Sequence, residues 1–107
     1  MDEKLREILS GGKSLAAYGS HNWALSRSET IRAIDAIERE ARVLLGGDVW
    51  VASNGVFSIT GDSWHFSPRS EDRDQKAVGD SAAIARAYVK AYPERKDAAV
   101  YFELVVE

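Results

Sequence analysis

Gly46-Gly47-Asp48-Val49-Trp50-Val51-Ala52-Ser53-Asn54-Gly55-Val56-Phe57-Ser58-Ile59-Thr60-Gly61-Asp62-Ser63-Trp64-His65-Phe66-Ser67-Pro68 reads as three short strands separated by two turns. Residues 48–52 form the first strand. Ser53-Asn54-Gly55 is a hairpin signal, because Asn-Gly tolerates the positive φ angles of a type I′ turn. Residues 56–60 form the second strand, and Gly61-Asp62 makes the next turn. Residues 63–67 form the third, with Trp64 and Phe66 on one face and Ser63, His65 and Ser67 on the other. Pro68 ends it. Gly46-Gly47 reads as the stop of a preceding helix, since glycine accepts the left-handed conformation at a C-terminal cap.

Working toward the N-terminus, a helix is expected to start near Ser26 or Ser28. Ser26 and Glu29 have capping-box spacing, in which hydroxyl and carboxylate each satisfy an orphan amide. Ile31, Ala33, Ile34, Ile37, Ala41, Leu44 and Leu45 supply an apolar stripe. Asp35–Arg39 and Glu38–Arg42 are i,i+4 acid-to-base pairs on its exposed side. Residues 13–25 lack a clean period and read as an ordered loop or short edge strand. Residues 2–10 predict a short helix, with Leu5, Ile8 and Leu9 on one side and Gly11-Gly12 as its stop.

Toward the C-terminus, residues 69–79 are polar and of mixed charge, and read as an exposed loop. Asp80 or Ser81 caps a last helix that carries Ala82, Ile84, Ala85, Tyr88, Val89 and Tyr92 and closes at Pro93. Residues 98–106 form a final strand. Val100, Phe102, Leu104 and Val106 share one face, and Tyr101 and Val105 lie on the other, which suits a central position in the sheet. The expected fold is therefore α+β: an antiparallel sheet of about four strands (the meander plus the C-terminal strand) packed against two main helices, with a short N-terminal helix. All 107 residues fit one domain.

Composition narrows the function classes. A chain of this size buries roughly two-thirds of its unfolded surface, enough for one core. Seventeen acidic residues against fourteen basic ones give a formal charge of −3. That balance argues against a phosphate-backbone binder, which needs a basic stripe, and suits a cationic protein partner. The absence of cysteine excludes disulfides and thiolate metal sites. No apolar run approaches the ~20 residues of a membrane span, and the charged N-terminus has no signal-peptide core, so a cytoplasmic location is expected.

No catalytic constellation emerges. His21 and His65 do not form a spaced pair that grips a metal. His65, on the polar face of its strand, reads as solvated, and Asp62 three residues away is too ordinary a neighbour to make a dyad. No serine sits in a Gly-x-Ser-x-Gly elbow. Gly46-Gly47 follows a helix rather than preceding one, which is the wrong order for a phosphate loop. Asp48 and Asp62 read as turn or cap residues rather than ligands of a hard cation. Trp23 and Trp64 read as core. Trp50 is open between core and exposed partner anchor, because tryptophan is enriched at interface hot spots.

The order of the motifs carries a resemblance. Asn22-Trp23-Ala24-Leu25-Ser26 ahead of a helix resembles the opening motif of the immunity protein 40 family of bacterial polymorphic-toxin systems. Leu45-Gly46-Gly47-Asp48-Val49-Trp50 is similar to that family's helix-to-strand motif, with Trp50 where tyrosine is usual. Asp62-Ser63-Trp64 resembles its aromatic third strand, with Ser63 in place of asparagine. Tyr92-Pro93 and Tyr101-Phe102-Glu103-Leu104-Val105-Val106 also match, so the likeness spans residues 20–107.

The resemblance implies a non-enzymatic protein without cofactor or metal. It would bind and neutralise a cognate toxin domain as a monomer or weak homodimer, with neither nucleic acid nor membrane as partner. Candidate toxin contacts are Trp50, His65, Glu71, Asp72 and Asp74. Asn22, Trp23, Gly46, Gly47, Asp48 and Trp64 are expected to be structural. The alternative is a small-molecule or peptide binding module with an apolar pocket between sheet and helices. An enzyme would require His21, His65 and a carboxylate to converge in one cleft.

Overall fold

A strand that must pair on both sides sets the architecture. The computed structural model describes residues 3–68 and 75–107. Its elements are α1 (Glu3–Leu9), β1 (Lys13–Ser14), a 3-10 turn (Ala16–Tyr18), β2 (Trp23–Ala24), α2 (Arg27–Arg39), β3 (Leu44–Ser53), β4 (Val56–His65), α3 (Gln75–Ala91) and β5 (Ala99–Val106). The main sheet is antiparallel in the order β4-β3-β5, and β1 and β2 form a separate two-stranded ribbon. The α+β class and the short N-terminal helix match expectation.

The sheet differs from the expected one in two respects. The second and third strands of the meander are one strand, β4, and Gly61-Asp62 is a bulge within it. Trp50 pairs with Ile59 while Asp48 pairs with Ser63, so Thr60, Gly61 and Asp62 bow out opposite Val49. Gly61 takes φ +89°, where a side chain is disfavoured. The Thr60 hydroxyl donates to the Val49 carbonyl at 3.0 Å and accepts the Asp62 amide at 3.0 Å, tying the bulge down. The Asn54-Gly55 turn stands as expected, with φ of 53° and 79°. Second, β3 rather than β5 is central. The outer edge of β5 is partly taken by Leu25, which exchanges two 2.8 Å backbone hydrogen bonds with Phe102.

Helix α2 begins with the expected capping box: Ser26 Oγ accepts the Glu29 amide and Glu29 accepts the Ser26 amide. It ends at Arg39, well before Gly46-Gly47. The Arg42 amide reaches the Ile37 carbonyl and the Ala41 amide the Glu38 carbonyl, which is the Schellman pattern. Ala41 fills the left-handed position usually given to glycine, at φ 56°. Leu44 and Leu45 thus belong to β3, where ladder bonds on both sides outweigh local helix propensity. The expected Asp35–Arg39 and Glu38–Arg42 pairs are replaced. Asp35 and Glu38 both accept from Arg86 of α3, and Arg42 donates to the Glu107 carbonyl.

Gly46 and Gly47 are strand residues for a packing reason. A Cβ on Gly46 would lie 2.2 Å from the Trp64 carbonyl oxygen, and one on Gly47 would lie 2.3 Å from the Trp64 ring and 2.6 Å from the Glu103 carbonyl. The Trp64 ring crosses β3 at Gly47, while its backbone lies against Gly46, and the ring stacks on Tyr88 at 4.8 Å between ring centres. Helix α3 starts at Gln75, so residues 75–79 of the expected loop are helical and 69–74 lie outside the described residues. Asp80 and Ser81 therefore cap nothing. Asp80 pairs with Lys76 one turn earlier, and the buried Ser81 hydroxyl accepts the Leu44 amide at 3.1 Å.

Helices α2 and α3 cover one face of the sheet. Phe102, Val49, Leu44, Trp64 and Leu104 meet Ala33, Ile34, Ile37, Ala82, Ala85 and Val89 there, with Leu5 and Leu9 of α1 closing the core. The other face carries a smaller cluster, in which Leu15, Ala24 and Trp50 pack with Phe57 and Tyr101.

Two substitutions test these backbone assignments by urea denaturation. Ala41→Gly relieves the left-handed strain and should stabilise the chain by about 0.5–1 kcal/mol. Gly47→Ala forces a methyl into the Trp64 ring and should destabilise it by about 1–3 kcal/mol.

Candidate functional site: the open face of the sheet

Side chains directly opposite one another on neighbouring strands share a face. Three rows therefore cross the face away from α2 and α3: His65–Gly46–Val105, Ser63–Asp48–Glu103 and Ile59–Trp50–Tyr101. The segment 13–24 folds over part of this face. Its Leu15 is fully buried, and its Tyr18 ring stands edge-on to Trp50 at 5.7 Å and to Phe57 at 5.8 Å.

A buried carboxylate holds the segment in place. Glu103 is 6% exposed. Its Oε2 accepts the Ser20 hydroxyl at 2.5 Å and the Asn22 side-chain amide at 3.0 Å, and its Oε1 accepts the Trp50 indole N–H at 2.9 Å. The Asn22 backbone amide in turn donates to Ser20 Oγ at 3.1 Å. Neutral donors directed at a buried charge stabilise it without a counter-ion. Asn22 thus helps fasten the segment to the sheet, and Glu103 is a key residue that sequence reading passes over. An acid between Phe102 and Leu104 in an apolar strand was the available signal, since a charge at such a position needs partners.

Trp50 is 7% exposed and its N–H is committed to Glu103, so its ring does not present the exposed anchor offered as one reading of the sequence. The exposed apolar surface around it comes from Ile59 (57%), Tyr18 (41%) and Val105 (39%). Tyr18 also guards the sheet edge, because its hydroxyl accepts the outward Phe57 amide at 3.0 Å. That contact and the 60–62 bulge blunt β4 against strand addition.

Asp48 neither caps a helix nor sits in a turn; it lies mid-strand, in register with Glu103. Burial pushes its pKa up, the Glu103 charge pushes it further the same way, and His65 opposes both. His65 is exposed at the end of β4, beside a shallow pocket of about 210 Å³ that Asp48, Gly46 and Val105 also line. Trp23 is half-buried against the main core, and Trp64 is buried with an indole N–H that has no partner among the described residues. Glu71, Asp72 and Asp74 lie outside the described residues. Among the described residues, no group of three His, Asp or Glu side chains is placed to hold a metal, and no helix is long and apolar enough to cross a membrane.

A family model described as immunity protein 40 matches residues 14–106. Comparisons with curated proteins and with solved structures give no match.

Two stability experiments follow from this geometry. Glu103→Ala leaves the Ser20, Asn22 and Trp50 donors without their acceptor and should cost about 3 kcal/mol in urea denaturation. The second concerns Asp48. The folded chain holds its proton more tightly than the unfolded chain does. The resulting stability is fully present below the unfolded pKa and is lost as pH rises through the raised one. Asp48→Asn, which cannot ionise, should therefore melt at a higher temperature than wild type near neutral pH. The gap should close as pH falls towards about 4; an equal or lower melting temperature at neutral pH would contradict the assignment.

Proposed function

We propose that this chain, which belongs to the immunity protein 40 family, neutralises a cognate bacterial toxin domain by forming a stoichiometric complex with it in the cytoplasm. The family match across residues 14–106 carries this reading. The toxin domain would be one of a polymorphic, contact-dependent system, and the inhibitor acts by occupying it rather than by catalysis. It works as a monomer or weak homodimer and requires no cofactor.

The open face of the sheet is our candidate contact surface. Ile59, Tyr18 and Val105 expose apolar area beside the half-buried acid Asp48. Apolar groups with charges at their margin are the usual composition of a protein-binding patch. Trp50 contributes from beneath, by fixing Tyr18 and Glu103, and His65 sits at the margin. Glu71, Asp72 and Asp74, chosen from sequence for their charge, are assigned to steering a cationic partner. Their joint replacement by serine should slow association and flatten its salt dependence.

Co-expression of the chain with an inactivated form of the toxin domain encoded beside it tests the function. The expected result is a 1:1 complex on size-exclusion chromatography, and survival of cells that carry the active toxin. Separate elution together with no rescue would refute it.

A further inference from the structure

The uncovered part of the open face has a specific electrostatic gap. Asp48 is half-buried, and its carboxylate has no hydrogen bond or ion pair among the described residues. Directly across the strand pair lies the Glu103 carboxylate, whose lone pairs are taken up by neutral donors. Like charges facing each other across a ladder are unfavourable. Neither basic group nearby is bonded to them: the Lys13 ammonium lies over the Tyr101 ring, 5.6 Å from its centre, and His65 has no bond to either acid. Ile59 and Val105, exposed on either side of the Asp48 row, give the surroundings an apolar character.

We infer that this patch docks a basic segment of a protein partner, with one lysine or arginine side chain entering the pocket between Asp48, His65 and Val105. Its aliphatic stem lies along Val105 and the bare backbone of Gly46. Its cationic head meets Asp48 beside Glu103. Long cationic side chains bury their stems on apolar surface while the head seeks a carboxylate. Charge complementarity selects this occupant: an acidic or neutral segment would leave the Asp48 carboxylate unpaired, facing a second carboxylate, in a partly desolvated site. The inference deepens the toxin-binding reading and rests on it for the identity of the partner.

The test has two arms. In the first, a tetra-arginine peptide is titrated into the full chain and amide NMR shifts are followed. Saturable shifts should concentrate at Gly47, Asp48, Glu103 and Val105. They should disappear in Asp48→Asn and persist in Glu7→Gln, which removes an exposed acid on α1. Shifts that survive in Asp48→Asn, or that spread evenly over the surface of the wild type, overturn the inference. In the second arm, the affinity of the complex with the inactivated toxin domain is measured. Asp48→Asn should weaken it by about tenfold at low salt and reduce its salt dependence. A complex whose affinity ignores Asp48 overturns the docking inference and leaves the immunity reading standing. Absence of any complex, with the peptide map intact, removes the toxin as partner and leaves the cation-docking patch.

Discussion

The Glu103 carboxylate is the constraint on which the open face depends. A charge at that depth is tolerated only where donors converge on it. Three come from two parts of the chain: Ser20 and Asn22 from the N-terminal segment and Trp50 from the central strand. The same contacts that satisfy the charge fasten segment 13–24 to the sheet, bury Leu15 and set Tyr18 against Trp50. Without the acid, those donors would be stranded and the segment would be held by the Leu25–Phe102 backbone pair, the Phe57–Tyr18 hydrogen bond and its apolar contacts. Hydrogen-bonded networks of this kind favour one arrangement because every member needs the others.

On the helix-covered side, the ordering element is the Trp64 ring lying across Gly47. The missing side chains let β4 and β5 approach β3 closely at the row next to Asp48. A short pocket floored by backbone results, with an unbalanced carboxylate at its wall. The raised pKa of Asp48 means that the position works against folding at neutral pH. Positions that spend stability in this way are common where a surface is shaped for a partner.

Much of this was legible from sequence wherever a local rule governs the backbone. The Ser26–Glu29 capping box, the Asn54-Gly55 turn, the α1 pattern, the β5 strand and the α+β class all follow from short-range chemistry. The errors share one cause, which is that glycine was read as punctuation. Gly46-Gly47 stands inside a strand because the Trp64 carbonyl oxygen comes within 2.2 Å of where a Cβ of Gly46 would be and the Trp64 indole within 2.3 Å of one on Gly47, and Gly61 marks a bulge rather than a turn. The true end of α2 was hidden because alanine occupies the left-handed position. Long-range partners decided the rest: Arg86 claims the acids of α2, and Glu103 claims the Trp50 indole. Neither pairing has a signature in local spacing.

We propose that partner contact falls on the face organised by Glu103, opposite α2 and α3. Amide hydrogen exchange of the free chain and of its complex with the inactivated toxin domain addresses this directly. The account predicts new protection in β3 and β4 around Asp48, Phe57 and Ile59, and in β5 around Val105, with exchange on the outer surfaces of α2 and α3 unchanged. Protection confined to the exposed faces of α2 and α3, with the open face of the sheet exchanging as in the free chain, would contradict it.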